Sequence, residues 1–261
     1  MSHGFSASHD GEMTNIGPEQ WLSALRSEGD TFASVPVDAL DRPVPTCPEW
    51  DVAELIRHLG GVHRWVRRTF LGTTDEPRVN QHELSGQELV DWYRPNLDAI
   101  VAELTDRDPA EPVRSFVGDA TVGFWCRRQA QETAMHRYDL DTAIRPGDER
   151  PIDSALAADG IDEWLELFVP RFLGLGPGIP ADMVGMTMHL HADDIDGGEW
   201  SLALTADGID WSRAHSKADA ALRAGVSDLL LAVWHRTPLS DVQVFGDQAA
   251  TAKILDLVHV T

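Results

Sequence analysis

The apolar residues of this chain recur every three or four positions up to residue 145, and in stretches after about residue 186 they recur every second position. The first period belongs to helices that bury one face, the second to strands that do the same. An α+β protein in two parts is therefore expected, with residues 17–150 helical and residues 151–261 forming a small α+β domain.

Four helices are predicted in the first part. One starts near Pro18, with Trp21, Leu22 and Leu25 on one face. The second covers 49–70, with Val52, Leu55, Ile56, Leu59, Val62, Val66 and Phe70 as its stripe. The third covers 86–104, where Pro95 should kink or divide it. The fourth covers 123–144, and a Pro-rich connector at 42–48 separates the first two. Four amphipathic helices suggest a bundle, and bundles place metal sites between facing helices.

A fifth helix is predicted over 154–173, and the character changes after Gly174-Leu175-Gly176-Pro177-Gly178. Residues 186–191 and 200–204 alternate like strands around the turn signal Asp196-Gly197-Gly198, which predicts a hairpin. A short strand at 209–211, a helix at 218–234, a strand at 242–245 and a closing helix at 249–258 complete the expected pattern.

Charge narrows the partners. Across 261 residues, 21 Lys and Arg face 43 Asp and Glu, for a formal net charge of −22. Such a surface repels phosphate backbones and anionic lipid, so neither nucleic acid nor a membrane is an expected partner. No run of about 18 apolar residues is present to span a bilayer. Residues 1–17 lack the basic start and apolar stretch of a signal peptide and read as a tail, which points to the cytosol. Cys47 and Cys126 are too few for a disulfide framework.

The chemistry-bearing pattern is Glu132 and His136, four residues apart on one helix face. A carboxylate oxygen and an imidazole nitrogen so placed can share one ion. Asp139 lies near the same face and can take the second imidazole N–H, fixing the tautomer. His58, beside the stripe of the second helix, can supply a third ligand, and two histidines with one carboxylate leave the open position that a catalytic zinc needs. Nickel, manganese or iron suit the same donors. A helical Glu–His pair is equally a common solvated contact, and spacing alone does not separate the two readings. Gly60 and Gly61 would let a partner helix or a ligand approach closely. His63, about 140° around the helix from His58, is expected at the surface or behind the ligands. Arg128 is expected to pair with Glu132 on the surface, and both cysteines are expected to be packing residues.

Three stretches carry a resemblance. They are Cys47-Pro48-Glu49-Trp50-Asp51-Val52 with His58-Leu59-Gly60-Gly61 and His63-Arg64-Trp65; Glu132 to Ala143, with its Glu-x-x-x-His-Arg-x-Asp core; and Ser227 to Arg236. Together they resemble the mycothiol-dependent maleylpyruvate isomerase family over nearly the whole chain from residue 17, although the family more often has glycine where His235 stands. The resemblance implies a DinB-like four-helix bundle and a sterol-carrier-like carboxy-terminal domain. It implies a divalent ion, zinc first, on His58, Glu132 and His136, with Asp139 as the supporting acid. It also implies mycothiol, the small thiol of actinobacteria, as cosubstrate. A thiolate formed at the ion would add to an activated double bond, let the carbon–carbon bond rotate, and leave. Arg236 is the candidate for holding a substrate carboxylate, beside its plainer reading as a helix C-terminal cation. A mycothiol S-transferase of the same fold and a non-catalytic metal or small-ligand binding protein are the competing functions.

Overall fold

The computed structural model describes residues 16–74 and 79–258, so most of the amino-terminal tail lies outside the described residues. The chain divides into two compact units, Ile16–Ile152 and the residues from Asp153 onward.

The first unit is built on α1 (Pro18–Phe32), α2 (Val52–Thr69), α3 (Gly86–Thr105) and α4 (Val122–Ile144). Its helices pack α1 on α4, α2 on α3, α1 on α3 and α2 on α4, which is a four-helix bundle. Leu25, Phe32, Leu55, Ile56, Leu59, Tyr93, Leu97 and Ile100 are fully buried between them. Asp51 caps α2 by accepting the Glu54 N–H at 2.7 Å, and Thr121 caps α4 by accepting the Phe124 N–H at 3.4 Å. α3 continues through Pro95 rather than dividing. The Trp92 carbonyl, one residue beyond the acceptor that proline leaves without its helical donor, accepts the Asn96 side-chain amide at 2.7 Å.

Two features differ from the sequence reading. A short hairpin of β1 (Pro112–Ser115) and β2 (Gly118–Thr121) precedes α4. Its four-residue strands are too exposed to show an apolar alternation. α4 is buried on nearly every side and carries Arg128, Gln129, Gln131, Thr133, His136, Arg137, Asp139 and Asp141 into the interior. Most of these groups find partners there, although the buried Thr133 hydroxyl has none. Arg137, 1% exposed, donates to Glu28, to Asp141 and to the carbonyls of Arg150 and Pro151. Replacing either partner of such a pair by a neutral group would leave an uncompensated buried charge.

In the second unit, α5 (Ser154–Glu163) passes through a π-helical segment, Trp164–Phe168, into α6 (Val169–Leu175). A five-stranded sheet follows in the order β5-β4-β3-β6-β7, from β3 (Thr187–Ala192), β4 (Glu199–Thr205), β5 (Gly208–Ser212), β6 (Ala220–Ala224) and β7 (Gln243–Gly246). Only β3 and β6 run parallel. Met188, Leu190, Trp200, Leu202 and Leu222 form the core face, against which α7 (Val226–Val233) and α8 (Gln248–Leu255) contribute their apolar sides. The helix predicted over 218–234 is therefore corrected to a strand and a shorter helix. Its first residues are helix-tolerant in isolation, but their register with β3 and β7 decides their conformation. No described helix is long and apolar enough to cross a membrane.

His235, just after α7, has φ +57°, a left-handed conformation that favours glycine. Among the described residues it is the one non-glycine residue with a positive φ, at the position where the resemblance more often has glycine. Its Nε2 lies 3.3 Å from the carbonyls of both Leu255 and Val258, contacts a glycine could not make.

Candidate metal centre

The loop before α2 shapes the centre first. Val44 N–H donates to the Trp50 carbonyl, Trp50 N–H to the Cys47 carbonyl, and Val52 N–H to the Arg42 carbonyl. This knot sets the Trp50 ring 4.7 Å from that of His58 and 6.0 Å from that of His136, centroid to centroid. It also aims the Cys47 thiol at Asp139, with Sγ 3.6 Å from Oδ2. Cys47 thus touches the acid behind the centre rather than serving only as packing.

His58 leaves α2 one step off the buried stripe, which places its ring against α4 with a third of the side chain exposed. His58 Nε2 lies 3.2 Å from Glu132 Oε1, and His136 Nε2 lies 3.4 Å from the same oxygen. All three donor atoms fall within 4.8 Å of one another. A tetrahedral ion with bonds of about 2.0–2.1 Å sets its donors roughly 3.3 Å apart, so both measured edges already match. The residues present fit a divalent ion.

The surrounding groups hold each donor in place. His136 Nδ1 lies 2.9 Å from Asp139 Oδ2, and Asp139 is fully buried. Arg128 Nη2 donates to Glu132 Oε2 at 2.9 Å, which leaves Oε1 facing the imidazoles. Arg128 is only 6% exposed, so the pairing lies inside the bundle and not on its surface. Burial opposes charge on Glu132, but hydrogen bonds from His136 and His58 and the Arg128 charge overcome it and hold the carboxyl well below its ordinary pKa. Burial likewise opposes charge on His136, and the hydrogen bonds to Asp139 and Glu132 outweigh it, raising the pKa to about 9.

A cleft of about 350 Å³ opens beside His58, lined among others by Trp50, Arg57, Gly61, Trp65 and His82. Arg57 is fixed in that wall by Glu54 Oε1 at 2.8 Å and the Leu84 carbonyl at 2.9 Å, while its buried Nε has no hydrogen-bond partner. The two glycines separate in role. An added Cβ at Gly60 would lie 2.4 Å from Trp92 of α3, whereas one at Gly61 would meet only the Gln81 side chain at 3.0 Å.

The remaining candidates fall as follows. His63 is a core residue, fully buried, with Nδ1 2.8 Å from Gln129 Oε1 and Nε2 3.5 Å from the Tyr93 hydroxyl. The buried stripe of α2 runs 52-55-56-59-63-66, and an apolar-only template slides onto Val62 instead. Cys126 is buried, and burial pushes its thiol up to about 11. Arg236 lies in the second unit, just after α7, where Nη1 donates to the Trp234 carbonyl at 3.1 Å. Sequence reasoning missed a second cluster in that unit, His189, His191, Glu199 and His215. Its signal was the His-x-His spacing within a predicted strand.

Two family models match the chain, the mycothiol maleylpyruvate isomerase N-terminal domain over residues 22–141 and the carboxy-terminal domain of the same proteins over residues 155–253. Among solved structures, a crystal structure of the mycothiol-dependent maleylpyruvate isomerase covers 89% of this chain and 95% of its own, at 13% identity and a TM-score of 0.58. That of a histidine-to-alanine mutant of it covers the same shares at 14% identity and a TM-score of 0.56. At such identity the likeness is one of fold. No curated protein matches the chain.

Proposed function

The chain belongs to the mycothiol maleylpyruvate isomerase family, and from that premise we propose that it is a metal- and mycothiol-dependent enzyme acting on a small electrophile of the maleylpyruvate type. The observation that carries this reading is the meeting of His58, Glu132 and His136 at tetrahedral edge distances beside an open cleft.

In this proposal His58 and His136 present Nε2, and Glu132 presents Oε1, to a divalent ion of the zinc class. When bound, such an ion offers a free coordination position in which a thiol becomes a thiolate at neutral pH. Asp139 would accept the His136 Nδ1–H and so leave the Nε2 lone pair available to the ion. Arg128 keeps Glu132 ionised and oriented. Trp50 covers the two imidazoles and limits water on that side. Arg57, fixed in the cleft wall, is a cation that could receive a substrate carboxylate.

The test combines metal analysis of the purified chain with turnover of maleylpyruvate in the presence and absence of mycothiol. Metal-dependent isomerisation that needs the thiol, and that disappears in His58→Ala, is expected. A stable mycothiol conjugate as the end product would assign the transferase activity instead. A metal-loaded chain that turns over no electrophile with mycothiol would overturn the enzyme reading.

A further inference from the structure

β3 carries His189 and His191 two positions apart, so both imidazoles leave the same face of the strand. The antiparallel register with β4 sets Glu199 opposite His191 and Ser201 opposite His189. This face is the reverse of the one that packs Met188, Leu190 and Trp200 into the core.

The topology brings a fourth donor. The connection at 213–219 leaves β5 at one edge and must pass β4 and β3 to reach β6. Helices occupy the core side, where Arg213 at the start of the connection pairs with Asp162 of α5, and the following residues are fastened to the other: the Ser216 and Ser201 hydroxyls are hydrogen-bonded, and His215 Nδ1 lies 3.0 Å from Glu199 Oε1. The same oxygen is 2.7 Å from His191 Nδ1. One ring nitrogen from each histidine and one Glu199 oxygen fall within 4.8 Å of one another.

A separate observation points to a ligand. His189 is only 5% exposed, and its Nε2 is buried with no hydrogen-bond partner. Leaving such a group unsatisfied is unfavourable, and a cation shared with its neighbours removes the penalty. Arg223, alongside His191 on β6, has its guanidinium 3.3 Å from the Asp193 carboxylate and so does not stand as a bare charge against a cation.

We propose that His189, His191, Glu199 and His215 form a second divalent-metal site, selective for an ion of the zinc class, that fastens the 213–219 connection to the sheet. Three imidazoles and one carboxylate suit zinc, nickel or copper and are poor donors for calcium or magnesium. Four protein ligands close a tetrahedral shell, which makes the site structural. Donors around such an ion stand roughly 3.3 Å apart, so no pair has to close by more than about 1.5 Å. The side chain of His215, 72% exposed on the connection, has the freedom to supply that movement.

The experiment uses the full chain stripped of metal and titrated with zinc, in wild type, His58→Ala and His191→Ala/His215→Ala. Wild type should bind two equivalents and each variant one, with affinity at the second site falling at least about 100-fold when two of its four ligands are lost. Zinc should also slow tryptic cleavage after Lys217 in wild type and in His58→Ala, but not in the double variant. If the double variant fails to fold, His215→Ala alone, altered at an exposed side chain, carries the same comparison. A wild-type chain that binds a single equivalent lost only in His58→Ala, or a double variant that keeps both, overturns the proposal. A single equivalent kept in His58→Ala and lost in the double variant upholds it while removing the bundle centre. No bound zinc at all removes both.

Discussion

Glu132 Oε1 stands 3.2 Å from His58 Nε2 although 74 residues of chain separate them. The contact crosses from α4 to α2, so bundle packing holds it rather than local sequence. His136 reaches the same oxygen from one turn away. Removing His58 should therefore empty the centre without unmaking the bundle. His58→Ala is expected to lose zinc binding at this centre and to change apo stability by about 1 kcal/mol or less, because the ring is partly solvated. Chelator competition and urea unfolding check the two halves. Full retention of zinc affinity at this centre would remove His58 from the ligand set.

Asp139 acts one shell out. It touches His136 Nδ1 and the Cys47 thiol. Asp139→Asn should weaken zinc at this centre by roughly 10–100-fold while leaving the helical circular-dichroism signal unchanged. Unchanged affinity would make Asp139 a packing residue only.

The degree to which sequence shows this molecule differs element by element. The bundle was legible because α1, α2 and α3 each carry one apolar stripe, and β4 because its residues alternate in burial. α4 was expected from the same helical periodicity, but the polar character of much of its interior face was not. Glu132 and His136 share a helix and were legible as a pair, and His58 was a candidate from its place beside the α2 stripe, but preferring a metal site to a solvated contact rested on resemblance. β6 was hidden because the register that makes Ala220–Ala224 a strand comes from β3 and β7, far away in sequence. His63 was hidden by its own polarity: burial of an imidazole depends on Gln129 and Tyr93 being there to receive it.

That burial has a consequence for acid stability. His63 is enclosed by Gln129 of α4 and Tyr93 of α3, with Glu132, His58 and His136 nearby, and desolvation lowers its pKa to about 4. The unfolded chain takes up a proton near pH 6.5, and the folded chain does so only near pH 4. Folding is thus free of this penalty above pH 6.5 and loses on the order of 3 kcal/mol as pH falls from 6.5 to 4. Nitrogen-15 spectra should show the His63 ring staying neutral down to about pH 4. A ring that titrates near pH 6.5 would contradict the burial argument.

His235 separates a backbone cost from a side-chain gain. A residue with a Cβ at φ +57° bears a left-handed penalty of about 1–2 kcal/mol, which glycine escapes. The His235 ring recovers part of it through the Leu255 and Val258 carbonyls. His235→Ala loses the ring and keeps the penalty, whereas His235→Gly loses both. The alanine variant should therefore be less stable than the glycine variant by about 1 kcal/mol in urea unfolding. Equal stability would show that the conformation relaxes on substitution.

Gly60 and Gly61 offer the cleanest contrast between packing and propensity. Alanine is worth about 1 kcal/mol more than glycine within a helix, so both substitutions begin with the same gain. At Gly60 the new Cβ would stand 2.4 Å from the Trp92 ring, a large side chain lodged between α2 and α3. Overpacking of this kind costs about 1–3 kcal/mol, enough to cancel or exceed the gain. At Gly61 the obstacle is the end of Gln81, which can swing away. Gly60→Ala should thus be neutral to destabilising, and Gly61→Ala stabilising by up to about 1 kcal/mol. Gly61 also lines the cleft beside His58, so its alanine variant should raise KM for the thiol or the electrophile with metal content unchanged. Thermal unfolding and steady-state kinetics read the two effects separately, and a more stable Gly60→Ala would mean that Trp92 yields its place.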